Sequence, residues 1–328
     1  MTFQAEKDLA RAYWRACDAG QDVSAFYADS FIWDGPRPAP RATTGAELNE
    51  GWLAPFHAAT KGMARSTHIL MAGASDSKAD GGEDGRIWVG GTGYLTGHAQ
   101  DDLWSIPKSD HDLRIRWGEF LCIKDGKITE VHLAIDLMDW LEQLGLSVLP
   151  KFQGASHVWP APTAFDGIAF DAEGTEETMT LGRGLLFGGL NAFDEDALTS
   201  MGMADFFHTN LKWYGPGGIG ACLSLKEFED FHQGPWLASF PDRKVQDLPL
   251  IAEGRLLGAC GPAAVKGTHG GAPFRSSNPG AGQEINFSGL DFWLRTGDKF
   301  TENWVFVDFI SLFEQIGIDL LDRIGQIK

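Results

Sequence analysis

Apolar and polar positions along the chain form a pattern that occurs twice. Residues 127–145 alternate with period two as far as Asp136 and then change to helical spacing, which predicts a strand running into a short helix with an acid at the junction. The pattern returns in residues 299–317, with Asp308 at the junction. Of the 19 aligned pairs, 7 are identical and 9 exchange one apolar residue for another, where chance would give roughly one identity. The chain is therefore a tandem repeat.

Both copies place helical patterns before strand patterns, which is typical of an α+β domain. Residues 3–19 have apolar residues at helical spacing and end before Gly20, so they predict an amphipathic first helix. The predicted fold is two tandem α+β domains, each with N-terminal helices packed on a curved antiparallel sheet. We expect the first domain over residues 1–147 and the second over residues 176–328, with the unrepeated residues 148–175 as a linker.

A second repeated motif ends an early strand of each copy. It consists of tryptophan, any residue, glycine and proline, at residues 33–36 and again at residues 213–216. The Gly-Pro pair stops the strand that contains the tryptophan. Trp33 and Trp213 are each interpreted either as core residues or as pocket walls, and the sequence leaves both alternatives open.

The terminal strand of each copy has one face with polar or aromatic side chains that ends in the junction carboxylate. In the second copy this face holds Trp304, Phe306 and Asp308, and in the first copy it holds His132 and Asp136. The opposite faces are mainly aliphatic. We predict that the polar or aromatic face lines the functional pocket.

Composition narrows the classes of ligand and location. The net charge of −18 would repel phosphate backbones and anionic membranes, so we expect neither nucleic acid nor a membrane as a partner, and a neutral or cationic small molecule fits better. Four cysteines without a CxxC pair argue against a zinc knuckle or a disulfide framework. The start of the chain lacks a signal-peptide pattern, and no stretch reaches the roughly 20 apolar residues of a membrane span, so we expect a cytoplasmic location.

The sequence resembles the SnoaL-like polyketide cyclases of the nuclear-transport-factor-2-like superfamily, which have a cystatin-like cone fold. The matching residues are Gly215-Pro216, residues 236–242, Gly267-Thr268-His269, Thr301-Glu302-x-Trp304-x-x-x-Asp308 and Gln315-x-Gly317. The second copy covers nearly the whole family domain. The first copy fits more loosely, because His132 stands where the family pattern has tryptophan.

The resemblance implies two α+β cones, each enclosing an apolar pocket for a small apolar, polyketide-like carbonyl compound. It assigns the general acid/base of an intramolecular aldol ring closure to Asp308 and, through the repeat, to Asp136. It places His269 near the pocket, with His98 as its counterpart in the first copy. The candidate substrate-binding residues are Trp304, Phe306, Trp213, Tyr214, His132 and Trp33. Since family members usually form homodimers, the chain is expected to be an intrachain pseudo-dimer, with further self-association left open.

This chemistry needs neither a cofactor nor a metal if donors such as His269 or Tyr214 stabilise the enolate. A metal site is not expected, because the spacing of His98, His111, His132 and Asp136 matches no recognised ligand motif. The second copy, which keeps the family tryptophan, is the first choice for the chemistry.

Several alternatives remain open for the same residues. Asp136 and Asp308 each precede an apolar helix, so either could act only as an N-cap. His98 and His269 could simply form hydrogen bonds at strand ends. A hydrolase or dehydratase, or a non-catalytic small-molecule-binding module, would suit the same cone, because fold does not settle function.

Overall fold

The computed structural model describes residues 3–76, 82, 84–109, 111–150, 153–156, 158–163, 166–193, 201–271 and 280–326. The α-helices are α1 Gln4–Asp18, α2 Gly45–Leu48, α3 Ala54–Ala59, α4 Leu137–Gln143, α5 Thr175–Arg183, α6 Met203–Phe206, α7 Leu225–Phe228, α8 Gly234–Ser239 and α9 Phe309–Gln315. The strands are β1 Tyr27–Asp34, β2 Thr60–Ala74, β3 Ile87–Ala99, β4 Asp112–Lys124, β5 Lys127–Ile135, β6 Phe207–Tyr214, β7 Ala221–Cys222, β8 Lys244–Val245, β9 Leu250–Glu253, β10 Leu256–Thr268, β11 Glu284–Thr296 and β12 Lys299–Val307. Single turns of 3-10 or π-helix lie at Ser24–Phe26, Asn49–Leu53, Gly184–Gly189, Leu190–Ala192, Glu229–Gln233 and Asp322–Gln326.

Each half of the chain builds its own sheet, which confirms the predicted α+β fold. The first sheet has the order β1-β5-β4-β3-β2, and the second has the order β7-β6-β12-β11-β10-β8, with β9 also paired to β10. Both sheets are mainly antiparallel, as expected. Each also contains one parallel pair, β1 with β5 in the first sheet and β6 with β12 in the second.

Local sequence signals account for the strand-turn-helix unit that is repeated. Asp125 and Gly126 have φ values of 51° and 70°, the two positive values that a tight turn between twisted antiparallel strands needs. At the other end of β5, Asp136 Oδ1 accepts a hydrogen bond from the Asp139 backbone N–H at 3.0 Å. Asp308 Oδ1 accepts one from Ser311 N–H in the same way. Both junction acids therefore cap the helices that follow them.

The repeated Trp-x-Gly-Pro motif has a steric cause. A Cβ atom on Gly35 would lie 2.0 Å from the Trp33 ring, and one on Gly215 would lie 2.0 Å from the Trp213 ring. Each indole therefore lies directly against the backbone of the glycine that follows it in the motif. Only glycine leaves room for this contact.

The two sheets pack against each other through their outer faces. Phe120 on β4 and Phe292 on β11 stack there with ring centroids 5.0 Å apart. These residues occupy equivalent positions in the repeat, so each phenylalanine contacts its own counterpart in the other copy. Such self-contact is typical of residues near the two-fold axis of an isologous dimer.

Reciprocal hydrogen bonds reinforce the contact between the two domains. The Gly217 backbone N–H donates to Asp136 Oδ2 at 2.9 Å, and the Arg37 backbone N–H donates to Asp308 Oδ2 at 3.1 Å. Gly217 and Arg37 are equivalent in the repeat, since each directly follows the proline of its Trp-x-Gly-Pro motif. Each domain therefore uses the loop after its tryptophan motif to bind the junction acid of the other domain.

The segment between α4 and α5 contacts both sheets. The Trp159 backbone N–H donates to the Tyr94 hydroxyl of the first domain at 2.6 Å. The Trp304 indole of the second domain donates to Pro160 O at 2.9 Å. The domain and linker bounds expected from the repeat stay a prediction.

No helix among the described residues has the length and apolar character to cross a membrane.

A buried ion pair lies where three parts of the chain meet. Lys7 Nζ on α1 lies 2.6 Å from Glu253 Oε1 on β9 and also donates to Ala169 O in the connecting segment at 2.6 Å. Glu253 accepts a second hydrogen bond from the Ala72 N–H of the first sheet at 2.7 Å. The Lys7 and Glu253 side chains are 3% and 5% exposed, so water does not screen either charge.

We predict that Lys7→Met lowers the free energy of unfolding by about 3–5 kcal/mol, because it leaves the Glu253 carboxylate buried without its counter-charge. Urea unfolding at pH 7 measures the change. The matched control is Lys61→Met, which removes an exposed lysine and should change stability little. Equal effects of the two substitutions would show that the ion pair does not join the domains.

Candidate functional site

The second domain contains an apolar cavity of about 130 Å³ between its sheet and its helices. Leu185 and Leu186 cover it from the helical side, and Trp213, Trp293 and Val305 line its sheet side. A cavity of about 150 Å³ with an apolar lining holds a benzene ring. The size and lining of this cavity therefore suit one small apolar ring.

Asp291 on β11 is the carboxylate in the wall of this cavity. Its side chain is enclosed in the protein interior yet keeps some accessible surface, because that surface faces the cavity. Burial raises the pKa of Asp291 to about 7, while the hydrogen bond from the Asn303 amide, at 3.4 Å, acts in the opposite direction. Near neutral pH the carboxyl group can therefore both accept and donate a proton.

Other polar groups lie around the same cavity. The His232 ring stacks on Trp213 with centroids 4.3 Å apart. Asn303 also donates to Phe292 O at 2.9 Å, which fixes its amide next to Asp291. Arg243 and Gln233 complete the polar part of the lining. This set of a few polar groups in an apolar wall is typical of a small-molecule site.

The first domain fills the corresponding position with its own side chains. Glu119 is the repeat counterpart of Asp291, and the Trp14 indole donates to its Oε2 at 2.5 Å. Trp14 packs edge-on against Trp117 at 5.1 Å, and the Arg65 guanidinium lies 4.2 Å from the Trp117 ring centroid. Burial raises the pKa of Glu119 to about 7 as well. The two copies thus share a buried acid, but α1 covers it in the first copy.

The predicted pocket face of the second terminal strand lies toward the contact between the two sheets. Trp304 is 2% exposed and lies with Tyr214 in the layer between the two sheets, with ring centroids 5.4 Å apart. The opposite face of β12, with Asn303 and Val305, is the one that lines the cavity. Phe306 borders both this cavity and the contact between the domains. Both faces of the strand are buried, so alternation alone does not identify the inner face.

A second, more polar cavity of about 200 Å³ lies between the domains. Asp308, His132 and Asp34 contribute to its wall, together with Phe306. His132 Nε2 is 2.9 Å from Glu130 Oε1, and its ring stacks on Trp88. Burial raises the pKa of Asp308 to about 6, opposed by its backbone hydrogen bonds. The structure thus brings two predicted residues from different copies, His132 and Asp308, to the same cavity. This cavity lies between the domains and not between the sheet and helices of one domain.

Asp136 is in a different environment from Asp308. Its Oδ2 lies 2.9 Å from Arg116 Nη1, and Arg116 also binds Asp139 at 2.9 Å. The position that corresponds to Arg116 in the second copy is Ser288. The protein's own donors, namely the Arg116 guanidinium, the helix N–H that it caps and the Gly217 N–H, therefore surround the Asp136 carboxylate.

The remaining predicted residues lie away from both cavities. His98 is partly exposed at the end of β3, with Nδ1 3.1 Å from Asp112 Oδ1. His269 is fully buried, and its ring packs against Phe240 with centroids 5.4 Å apart. Trp33 lies in the first core against Trp52. Of the predicted substrate-binding residues, only Trp213 and Phe306 border the cavity of the second domain.

Sequence reasoning missed Asp291 although the repeat contained a signal for it. Glu119 and Asp291 occupy matching positions of the two copies, and each is a single acid within an apolar strand pattern. Acids at matching core positions of two copies are unusual, because a buried carboxylate is costly without a partner.

Among the described residues, no group of three or more His, Cys, Asp or Glu side chains is arranged to hold a metal ion.

Comparison with solved structures finds proteins of the kind that the sequence resembles. A proposed polyketide cyclase from Xanthomonas campestris pv. campestris is 20% identical, covers 43% of this chain and 97% of its own, and has a TM-score of 0.33. Another from Pseudomonas putida KT2440 is 23% identical, covers 44% and 98%, and has a TM-score of 0.32. A nuclear-transport-factor-2-like protein from Burkholderia xenovorans LB400 is 16% identical, covers 41% and 91%, and has a TM-score of 0.28.

This chain is similar to SnoaL-like polyketide cyclases. Each solved structure matches nearly its own full length but less than half of this chain. No protein-family model and no curated protein matches the chain. At these identities and TM-scores, the activity of this chain does not follow from the likeness.

We predict that Asp291→Asn stabilises the protein at pH 8 by up to about 4 kcal/mol and leaves its stability almost unchanged below pH 4. The folded-state pKa of Asp291 is about 7 against an ordinary aspartate value of 3.8, so the folded protein binds the proton more tightly than the unfolded chain. The free energy of unfolding of the wild type therefore falls as pH rises from about 4 to 7, at about 1.4 kcal/mol per unit.

Chemical unfolding across pH 3.5–8 measures the difference between Asp291→Asn and the wild type. Asp298→Asn, in the exposed turn before β12, is the control and should give no such difference. A stability difference that does not depend on pH would show that Asp291 ionises as freely as a surface carboxyl group.

Proposed function

We propose that the second domain carries out cofactor-free acid/base chemistry on a small apolar carbonyl compound of the polyketide type, with Asp291 as the acid/base. The observation that supports this most directly is the carboxyl group of Asp291, which faces an apolar cavity and has a pKa of about 7. A general base is most effective when its pKa lies near the working pH. Isomerisation and aldol cyclisation both begin with loss of a proton next to a carbonyl group.

The cavity wall suits each part of this reaction. Trp213 and Trp293 provide flat apolar surfaces for a ring. The carboxylate form of Asp291 would take the proton, and the carboxylic acid would later return it at another carbon or to the oxygen of an aldol product. The Asn303 amide, held 3.4 Å from Asp291, is in position to stabilise the carboxylate form.

The first domain has a supporting role in this proposal. Glu119 also has a pKa of about 7, but the Trp14 indole lies over it at hydrogen-bond distance. A substrate would have to displace a buried tryptophan to reach this carboxyl group. The first copy therefore supplies the sheet against which the catalytic copy packs.

Asp308 remains the alternative acid/base that the sequence resemblance suggested. Its pKa of about 6 and its position in the cavity between the domains favour that alternative. Against it, both carboxylate oxygens already accept backbone hydrogen bonds, from Ser311 and Arg37.

A hydrolase or dehydratase reaction would use the cavity of the second domain, as the cyclase reaction would. A binding module would use the same cavity without turnover.

We predict that the wild-type chain accelerates exchange of the methyl hydrogens of acetophenone in D₂O, measured by proton NMR. Asp291→Asn should reduce the protein-dependent rate by roughly a hundredfold to ten-thousandfold, because it removes the base. The wild-type rate should rise with pH up to about 7 and then level off, since only the carboxylate accepts the proton.

Asp308→Asn is the matched control, because asparagine caps a helix about as well as aspartate. It should keep the exchange rate. Loss of exchange in Asp308→Asn but not in Asp291→Asn would move the chemistry to the cavity between the domains. Binding of acetophenone by the wild type without any exchange would favour the non-catalytic binding module.

A further inference from the structure

Arg243 is a buried cation in the wall of the cavity of the second domain. It is 4% exposed, and its guanidinium donates to Leu190 O at 2.9 Å and to Met201 Sδ at 3.2 Å. Neither acceptor carries a charge, and within the described part of the chain no carboxylate forms an ion pair with it. Burial lowers the pKa of Arg243 to about 10, which agrees with the lack of a nearby anion.

Other enclosed arginines of the chain differ from Arg243 in this respect. Arg116 lies between Asp136 and Asp139, with both distances 2.9 Å. Arg65, next to the filled interior of the first domain, forms an ion pair with Asp18 at 2.8 Å. A buried charge is costly unless it is paired. Among the described residues, Arg243 thus has no carboxylate partner of the kind that Arg116 and Arg65 have, and it borders a cavity that could hold one.

We propose that Arg243 binds the carboxylate of the substrate, so that the cavity takes a small apolar carboxylic acid that also carries a carbonyl group. This rests on the proposed function of the same cavity and narrows its substrate class. The net charge of −18 disfavours anions at long range, but contact with a buried guanidinium acts at hydrogen-bond distance, where it is strong and directional.

The arrangement gives the ligand a defined orientation. Asp291 and Arg243 both border the cavity. Among the described contacts, Arg243 donates to Leu190 O and Met201 Sδ, and Asp291 accepts from Asn303, so the two side chains are not hydrogen-bonded to each other. A substrate held by its carboxylate at Arg243 would extend its apolar body and its reacting carbon toward Asp291.

Binding of benzoate and of benzamide to the full chain tests the proposal. The two probes have nearly the same shape and differ in charge. At pH 6 the benzoate is ionised, Arg243 is charged and Asp291 is mostly protonated, so the acid does not repel the anion. Isothermal titration calorimetry should show the wild type binding benzoate about tenfold to a hundredfold more tightly than benzamide, the range of a hydrogen bond to a charged group.

Arg243→Gln should remove this preference by weakening benzoate binding about tenfold to a hundredfold while leaving benzamide binding unchanged. Arg243→Lys should keep part of the preference, because it keeps the charge but loses the two-pronged geometry. The control is Arg15→Gln, which removes an exposed charge on α1 and should bind both probes as the wild type does.

Equal affinity of the wild type for the two probes would overturn the proposal, as would unchanged benzoate binding by Arg243→Gln. If Arg243→Gln does not fold, the wild-type ratio and the Arg243→Lys ratio still decide. The outcome is separate from that of the proposed reaction. Exchange of acetophenone that depends on Asp291, together with no preference for benzoate, would reject only the carboxylate site.

Discussion

The two sheets pack against each other through their outer faces, and this contact limits which strand faces can line an internal site. Phe120 and Phe292 meet at equivalent positions of the two copies, 5.0 Å apart. The residues that point outward from β4, β5, β11 and β12, Trp304 among them, therefore form the contact between the domains. Side chains that act inside a cone must therefore lie on the opposite, inner face of these strands. The buried Lys7–Glu253 pair and the two reciprocal backbone hydrogen bonds then fix the domains in one arrangement.

Duplication has allowed the two interiors to differ while the frame stays the same. Both copies keep a buried acid at one position of the sheet, Glu119 or Asp291, and burial raises the pKa of each to about 7. In the first copy the Trp14 indole meets the acid, and in the second copy Leu185 and Leu186 leave a cavity next to it. A buried carboxyl group lowers stability at neutral pH. A cost of this kind is common where function requires the group.

The two junction acids occupy equivalent positions of the repeat but have different electrostatic surroundings. Asp136 and Asp308 each cap a helix and each accept a backbone hydrogen bond from the opposite domain. Arg116 neutralises the first. The second copy has Ser288 in place of that arginine, and burial raises the pKa of Asp308 to about 6 in the cavity between the domains. Repetition of a residue therefore establishes a shared structural task more securely than a shared chemical one.

Four features follow from the sequence: the duplication, the order of helices and strands, the turn at Asp125-Gly126 and the capping position of the junction acids. These depend on local rules of backbone geometry and on comparison of the copies. Alignment of the two copies also pairs Glu119 with Asp291, so the sequence contains a signal for the buried acid. The face of β12 that lines the cone depends on tertiary packing, because both faces are apolar enough to be buried and period-two alternation is the same for either choice. Among the described residues Arg243 has no carboxylate partner, and Trp14 fills the first cone. Both features likewise depend on contacts between distant segments, which the pattern along the chain does not contain.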